Sequence, residues 1–77
     1  MPNSDLVTHI VHELTINPYT RQYKLAVTTE EGSIIMTGTV RCYYHKQMAN
    51  EAVRKILQNT NRTTVIFKNN IAVVPES

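Results

Sequence analysis

Apolar residues in this chain fall into two stripes of helical period and three runs of strand period. Leu6, Val7, Ile10, Val11 and Leu14 recur three and four residues apart, with Thr8, His9, His12 and Glu13 on the opposite side. That spacing predicts a short amphipathic helix over roughly residues 4–15. Ser4 or Asp5 can cap its start, and Asn17-Pro18 ends it, because a residue before proline avoids the α region. From Tyr23 the period becomes two. Tyr23, Leu25 and Val27 alternate with Lys24 and Thr28, which predicts a half-buried strand. Glu30-Glu31-Gly32 supplies a tight turn, and a second strand follows over 33–40 with Ile34, Met36 and Val40 on one face. Gly38 stands in line with them, where a glycine marks a bulge or the close approach of another element, here expected to be a crossing helix.

Helical period returns from about Tyr44 to Gln58. Ala49, Ala52, Val53 and Ile56 make the stripe, flanked by Met48 and Leu57, while Gln47, Glu51, Arg54 and Gln58 point away. The segment 59–62 closes the helix without glycine, so an asparagine is expected to take the left-handed cap. A last strand is read from Thr64 to Val74, with Val65, Phe67, Ile71 and Val73 sharing a face and Pro75 stopping it.

The order is αββαβ. A strand, helix and strand in succession form a crossover with parallel strands, so the sheet should be mixed. The expected architecture is an α+β two-layer sandwich, two helices on one face of a three-stranded mixed sheet. The opposite face is then bare, and Ile35, Ile66, Ala72 and Val74 form its apolar part, a candidate surface for a protein partner or a second copy.

Seventy-seven residues make one domain, with its core over about 5–74. A core this small supplies only about 3–5 kcal/mol, so self-association is a natural supplement. Eight Lys/Arg against six Asp/Glu leave a net charge of +2, too little to announce nucleic acid. Cys42 is the single cysteine, so neither an internal disulfide nor a zinc site of four thiolates can form. The N-terminus lacks a basic start and an apolar core, and no apolar run approaches the ~18 residues of a membrane span. A cytoplasmic location is expected for the chain as given, and a periplasmic one for a processed or excised domain.

From the hairpin onward the sequence resembles a BON domain, the module of bacterial osmotic-shock and nodulation proteins. The family pattern, apolar-x-Leu-x-Gly-x-Val, is met by Ile34-Ile35-Met36-Thr37-Gly38-Thr39-Val40, with Met36 for the leucine. An alanine-bearing helix follows in Lys46-Gln47-Met48-Ala49-Asn50-Glu51-Ala52-Val53. The apolar-x-Asn-x-apolar-x-Val ending is met by Phe67-Lys68-Asn69-Asn70-Ile71-Ala72-Val73. Gly38, Val40, Asn69, Ile71 and Val73 are thus the motif positions. Where the family usually carries Gly-Val before the last strand, this chain has Asn61-Arg62-Thr63-Thr64-Val65. The resemblance implies a non-catalytic module that binds phospholipid membranes or envelope proteins. It nominates no catalytic residue and no cofactor.

Three groups of residues carry candidate chemistry. His9, His12 and Glu13 share the polar side of the first helix, short of the ligand number a stable zinc site wants, and read as surface residues. Cys42 lies before the second helix with His45 three positions on, but a nucleophile also needs a placed base and an oxyanion site. Arg41, Lys46, Arg54, Lys55 and Arg62 all belong to the second helix and its flanks, with Tyr43 and Tyr44 beside Arg41, a combination suited to anionic headgroups. Lys46 and Lys55 fall on opposite flanks of the helical wheel with Glu51 between them. RNA binding by a KH-type module would need a Gly-x-x-Gly loop, and Gly32 and Gly38 do not provide it. The sequence therefore predicts a non-enzymatic domain that needs neither metal nor cofactor. It would associate with anionic phospholipid or envelope proteins through the basic residues, or oligomerise through the helix-free sheet face.

Overall fold

Ser33–Val40 forms the central strand of a three-stranded sheet, and both other strands pair with it. The computed structural model describes residues 2–61 and 65–75. Its elements run α1 (Pro2–Ile16), β1 (Ala26–Glu30), β2 (Ser33–Val40), α2 (Tyr43–Asn59) and β3 (Ile66–Val73). β1 pairs with β2 antiparallel, from Ala26 opposite Thr37 to Glu30 opposite Ser33. β3 pairs with β2 parallel, from Ser33 beside Ile66 to Val40 beside Val73, so α2 is the crossover between parallel neighbours. The sheet is mixed, with strand order β1-β2-β3.

Alternation decides which face is covered. Ile34, Met36 and Val40 of β2 and Ile71 of β3 are buried under Leu6, Ile10 and Leu14 of α1 and Ala49, Val53, Ile56 and Leu57 of α2. Tyr23, Leu25, Val27, Val65, Phe67 and Val73 pack against this cluster while partly exposed. Fully burying one such aliphatic side chain is worth roughly 1.5–3 kcal/mol, so β2 and α2 carry much of the stability. Both helices lie on one sheet face, as the αββαβ reading requires. Ala52, expected in the stripe of α2, is only half-buried, while Leu57 is in the core.

Local chemistry explains the boundaries. α1 begins at Pro2, three residues before the Asp5 start that a Ser4 cap would give, because proline's fixed φ suits the first helical turn. Its end is tied down by Thr20, a buried residue whose hydroxyl donates to the Leu14 carbonyl at 2.7 Å. Asn17 Oδ1 accepts from Tyr19 N–H at 2.8 Å and turns the chain away from the helix. α2 is followed by Asn61 at φ 57, the left-handed residue that an asparagine was expected to supply. The β1–β2 hairpin closes through Glu31 (φ 42) and Gly32 (φ 80), both left-handed as a two-residue turn of the I′ type demands.

Gly38 departs from expectation. Its φ is +146, and a Cβ built on it would lie 2.6 Å from Leu25 Cδ2 and 3.2 Å from the Lys24 carbonyl oxygen. The element crowding it is therefore not a helix but the stretch Lys24–Leu25 that leads into β1. The same contact explains why β1 starts at Ala26 instead of Tyr23. The next pair in register would set Leu25 against Gly38, whose backbone has left the strand region.

Two substitutions test this account. Gly38→Ala forces both a strained φ and an overpacked contact, and should lower unfolding free energy by about 2–4 kcal/mol in urea melts. An unchanged midpoint would mean that Leu25 moves aside freely. Glu31→Asn, better suited to the left-handed turn, should raise stability by about 0.5–1 kcal/mol.

Candidate functional site

α2 carries most of the residues with candidate chemistry, and its packing divides them among separate surfaces. Ala49, Val53, Ile56 and Leu57 turn into the core, so the remaining positions line the flanks of the helix. One flank meets β3. There Tyr43, Lys46, Gln47, Asn50, Glu51 and Arg54, with Asn69 of β3, enclose an open hollow of about 300 Å³. Tyr43 stands 66% exposed at its side, the most exposed of the large apolar residues.

The polarity of this hollow follows from a chain of hydrogen bonds. Ile71 N–H donates to Asn69 Oδ1 at 3.2 Å, which fixes the orientation of the Asn69 carboxamide. Asn69 Nδ2 therefore faces α2 and donates to Asn50 Oδ1 at 3.3 Å. With its oxygen occupied, Asn50 keeps its NH2 group for whatever enters the hollow. Among the described residues neither the Lys46 ammonium nor the Arg54 guanidinium has a hydrogen-bond or ion-pair partner. Two cations and an amide donor thus face one concave space, with the Glu51 carboxylate as its single charged acceptor. A phosphate or carboxylate fits such a donor set, because charge-assisted hydrogen bonds are the stronger kind.

The other basic residues are elsewhere. Lys55 lines a groove of about 340 Å³ between α1 and α2, with His9, Glu13, Tyr19, Met48 and Glu51 among its neighbours. Arg41 precedes α2, and its backbone N–H donates to the Tyr23 hydroxyl at 3.2 Å. Arg62 lies outside the described residues. Among the described residues the basic positions are thus spread over several surfaces, with Arg54 and Lys55 also lining a smaller hollow of about 180 Å³. Of the described ones, Lys46 and Arg54 share the hollow beside β3, eight positions apart on one helix flank.

The bare sheet face carries its apolar residues as the alternation predicted. Ile66 and Val74 are 60% and 57% exposed at opposite ends of the β3 segment, and Ala72 is exposed between them. Ile35 is half-buried in β2, flanked by Thr28 and Lys68 in the ladder. The exposed aliphatics therefore follow β3 rather than spreading across the sheet. Of the motif positions, Val40 and Ile71 are buried in the core, Val73 packs against it, Gly38 is crowded by Leu25, and Asn69 links β3 to α2.

An aromatic cluster at the start of α2 has no counterpart in the sequence reading. Tyr19 and Tyr44 meet edge to face with ring centroids 5.4 Å apart. His45 lies beside Tyr19, Tyr23 and Tyr44, and its Nδ1 is 2.6 Å from the Tyr23 hydroxyl. The only sequence signal was the density of aromatic residues at 19–23 and 43–45. Cys42 occupies the N-cap position of α2 half-buried and without a side-chain capping bond. His45 is thus engaged by Tyr23 through Nδ1, not poised on the thiol. Among the described residues no three His, Cys, Asp or Glu side chains converge as a metal site would need, and no helix is long and apolar enough to cross a membrane.

No family model, curated protein or solved structure matches the chain, so the reading of function rests on geometry and the sequence motif.

The Tyr19–Tyr44 contact has a titration consequence. The Tyr19 hydroxyl beside it holds the Tyr44 phenol above its ordinary value of 10.0, first by hydrogen bonding and then by charge. A phenol whose folded pKa is raised stabilises the fold fully below the ordinary value, and that contribution is lost as pH rises through the folded one. Stability should therefore fall on the alkaline side of pH 10. Tyr19→Phe should return Tyr44 towards its ordinary value in a phenolate absorbance titration. An identical titration curve for the remaining tyrosines after that substitution would refute the coupling.

Proposed function

We propose that this chain is a non-enzymatic binding module that docks on anionic phospholipid surfaces, with Lys46 and Arg54 receiving a headgroup phosphate. The observation that carries the reading is the hollow between α2 and β3. Two cations without partners among the described residues, and the Asn50 amide oriented by Asn69, face the same space. Tyr43 beside them is of the residue type that settles where apolar tails meet headgroups, since one end of its ring is apolar and the other polar. Glu51 supplies an acceptor for a hydroxyl or ammonium on the same headgroup. The BON-like motif over Ile34–Val40 and Phe67–Val73 supports the same class of function. It also places Asn69, the residue that orients Asn50, among the motif positions.

The reading is narrower than the full set of basic residues. Arg41 and Lys55 contribute to the general field, which at this net charge is weak. Lys46 and Arg54 supply the contact itself. Co-sedimentation should show the protein on vesicles containing phosphatidylserine or phosphatidylglycerol at low salt, released by high salt, and absent from phosphatidylcholine. Lys46→Glu or Arg54→Glu should each weaken binding by roughly thirtyfold, about 2 kcal/mol for reversing one charge near the surface. Lys55→Glu, which lies outside the hollow, should weaken it less. Inorganic phosphate at matched ionic strength should compete if the hollow takes the phosphate itself. Failure to pellet with anionic vesicles, or pelleting untouched by Lys46→Glu and Arg54→Glu together, would refute the reading.

A further inference from the structure

The outer edge of β3 has no strand partner among the described residues. An unpaired edge presents a row of backbone donors and acceptors that template another strand. Which groups these are follows from the ladder. Val74 N–H donates to the Val40 carbonyl at 2.8 Å, so Val74 directs its backbone groups at β2. Residues of the same parity, Ile66, Lys68, Asn70 and Ala72, do likewise, and Phe67, Asn69, Ile71 and Val73 direct theirs outward. No proline interrupts Ile66–Val73.

We infer that two copies of this chain pair edge to edge through β3, antiparallel, about a two-fold axis at Asn70. Symmetry leaves few registers. A two-fold perpendicular to the sheet keeps each side chain on its own face, so a residue must oppose one of equal parity. With the axis at Asn70, Ile66 opposes Val74 of the second copy, Lys68 opposes Ala72, and Asn70 opposes itself. The two most exposed aliphatics of the sheet face then cover one another, at both ends of the interface. Lys68 meets an alanine, not its own copy, so no like charges oppose each other within the ladder. Shifting the axis by one residue either way loses the Ile66–Val74 match.

The outward groups fall into place in the same register. Asn69 and Ile71 form a hydrogen-bonded pair across the axis, as do Phe67 and Val73, while the even-numbered pairs are the close, non-hydrogen-bonded kind. One donor is shared in the single chain, because Ile71 N–H already bonds Asn69 Oδ1 at 3.2 Å. Pairing hands that N–H to the Asn69 backbone carbonyl of the second copy. The Asn69 side chain is thus a competitor for the edge, and it sets the dimer's affinity below what an open edge would give. Pairing of this kind makes a six-stranded sheet with all four helices on one face.

Disulfide trapping and sedimentation equilibrium test the inference without lipid, so its failure is separate from that of the headgroup reading. In a Cys42→Ser background, Asn70→Cys should give a cross-linked dimer under mild oxidation, because the new thiols oppose each other at a close pair. Lys68→Cys and Thr28→Cys in that background should give several-fold less. Equal cross-linking of all three variants overturns the register. The unsubstituted chain should shift from monomer to dimer mass as concentration rises, and Ile66→Lys, at an exposed position, should abolish that shift. Asn69→Ala should move the transition to several-fold lower concentration. Monomer mass for the unsubstituted chain at every concentration up to its solubility limit overturns the pairing, and so does an Ile66→Lys variant that dimerises as well as the parent.

Discussion

The burial of β2 under both helices is the constraint from which the other features follow. Ile34, Met36 and Val40 alternate along a strand that has a neighbour on each side, so the face that carries them must be covered, and both helices cover it while the other face is left bare. α2 covers β2 and β3, and α1 reaches the same face from the β1 side. Once Ala49, Val53, Ile56 and Leu57 are committed to that core, the direction of every other residue of α2 is settled. Lys46, Asn50 and Arg54 must then point along the flank beside β3. Lys55 must point to the flank beside α1. The hollow is a by-product of core packing, and the helix fixes where the stems of its donors begin.

Gly38 belongs to the same constraint. The stretch from α1 to β1 has to cross the end of the sheet close to β2, and Leu25 must reach the core as it does so. A side chain on Gly38 would block that passage. The glycine therefore does two things at once: it permits the +146 φ and it admits Leu25 and the Lys24 carbonyl. Tyr23, just before, bonds His45 of α2 and the backbone of Arg41, which ties the incoming strand to the start of the helix.

What the sequence made legible was whatever depends on period. The element order, the covered face, the residues of the bare face and the left-handed asparagine after α2 are all local consequences of spacing and turn chemistry. Contacts between residues far apart in the chain were not legible. The neighbour of Gly38 is Leu25 rather than a helix, and nothing in the alternation of β2 distinguishes those two ways of crowding a glycine. Asn50 and Asn69 stand nineteen positions apart and read singly as ordinary polar residues. Of the basic residues on α2, the helical wheel already set Lys46 and Lys55 on opposite flanks. What the position of β3 adds is that Lys46 and Arg54 line one hollow with Asn69, whereas Lys55 lines the groove beside α1 and a smaller hollow with Arg54. Tyr19 and Tyr44 likewise meet only because the turn after α1 and the start of α2 are brought to one end of the molecule.

Asn69 joins the two surfaces of interest. Its Nδ2 orients Asn50 in the hollow, while its Oδ1 occupies the outward N–H of Ile71 on the sheet edge. A strand arriving at that edge competes for Ile71 N–H and frees Asn69 Oδ1, so Asn50 need no longer keep its present orientation. The geometry of such a pair also bears on a flat target. A two-fold perpendicular to the sheet puts both helical layers on one side, and each hollow lies beside β3, next to the axis. Were both hollows to receive headgroups, engagement of the second would be an intramolecular event. For a domain whose net charge is only +2, that arrangement offers more attraction to a charged surface than one copy can.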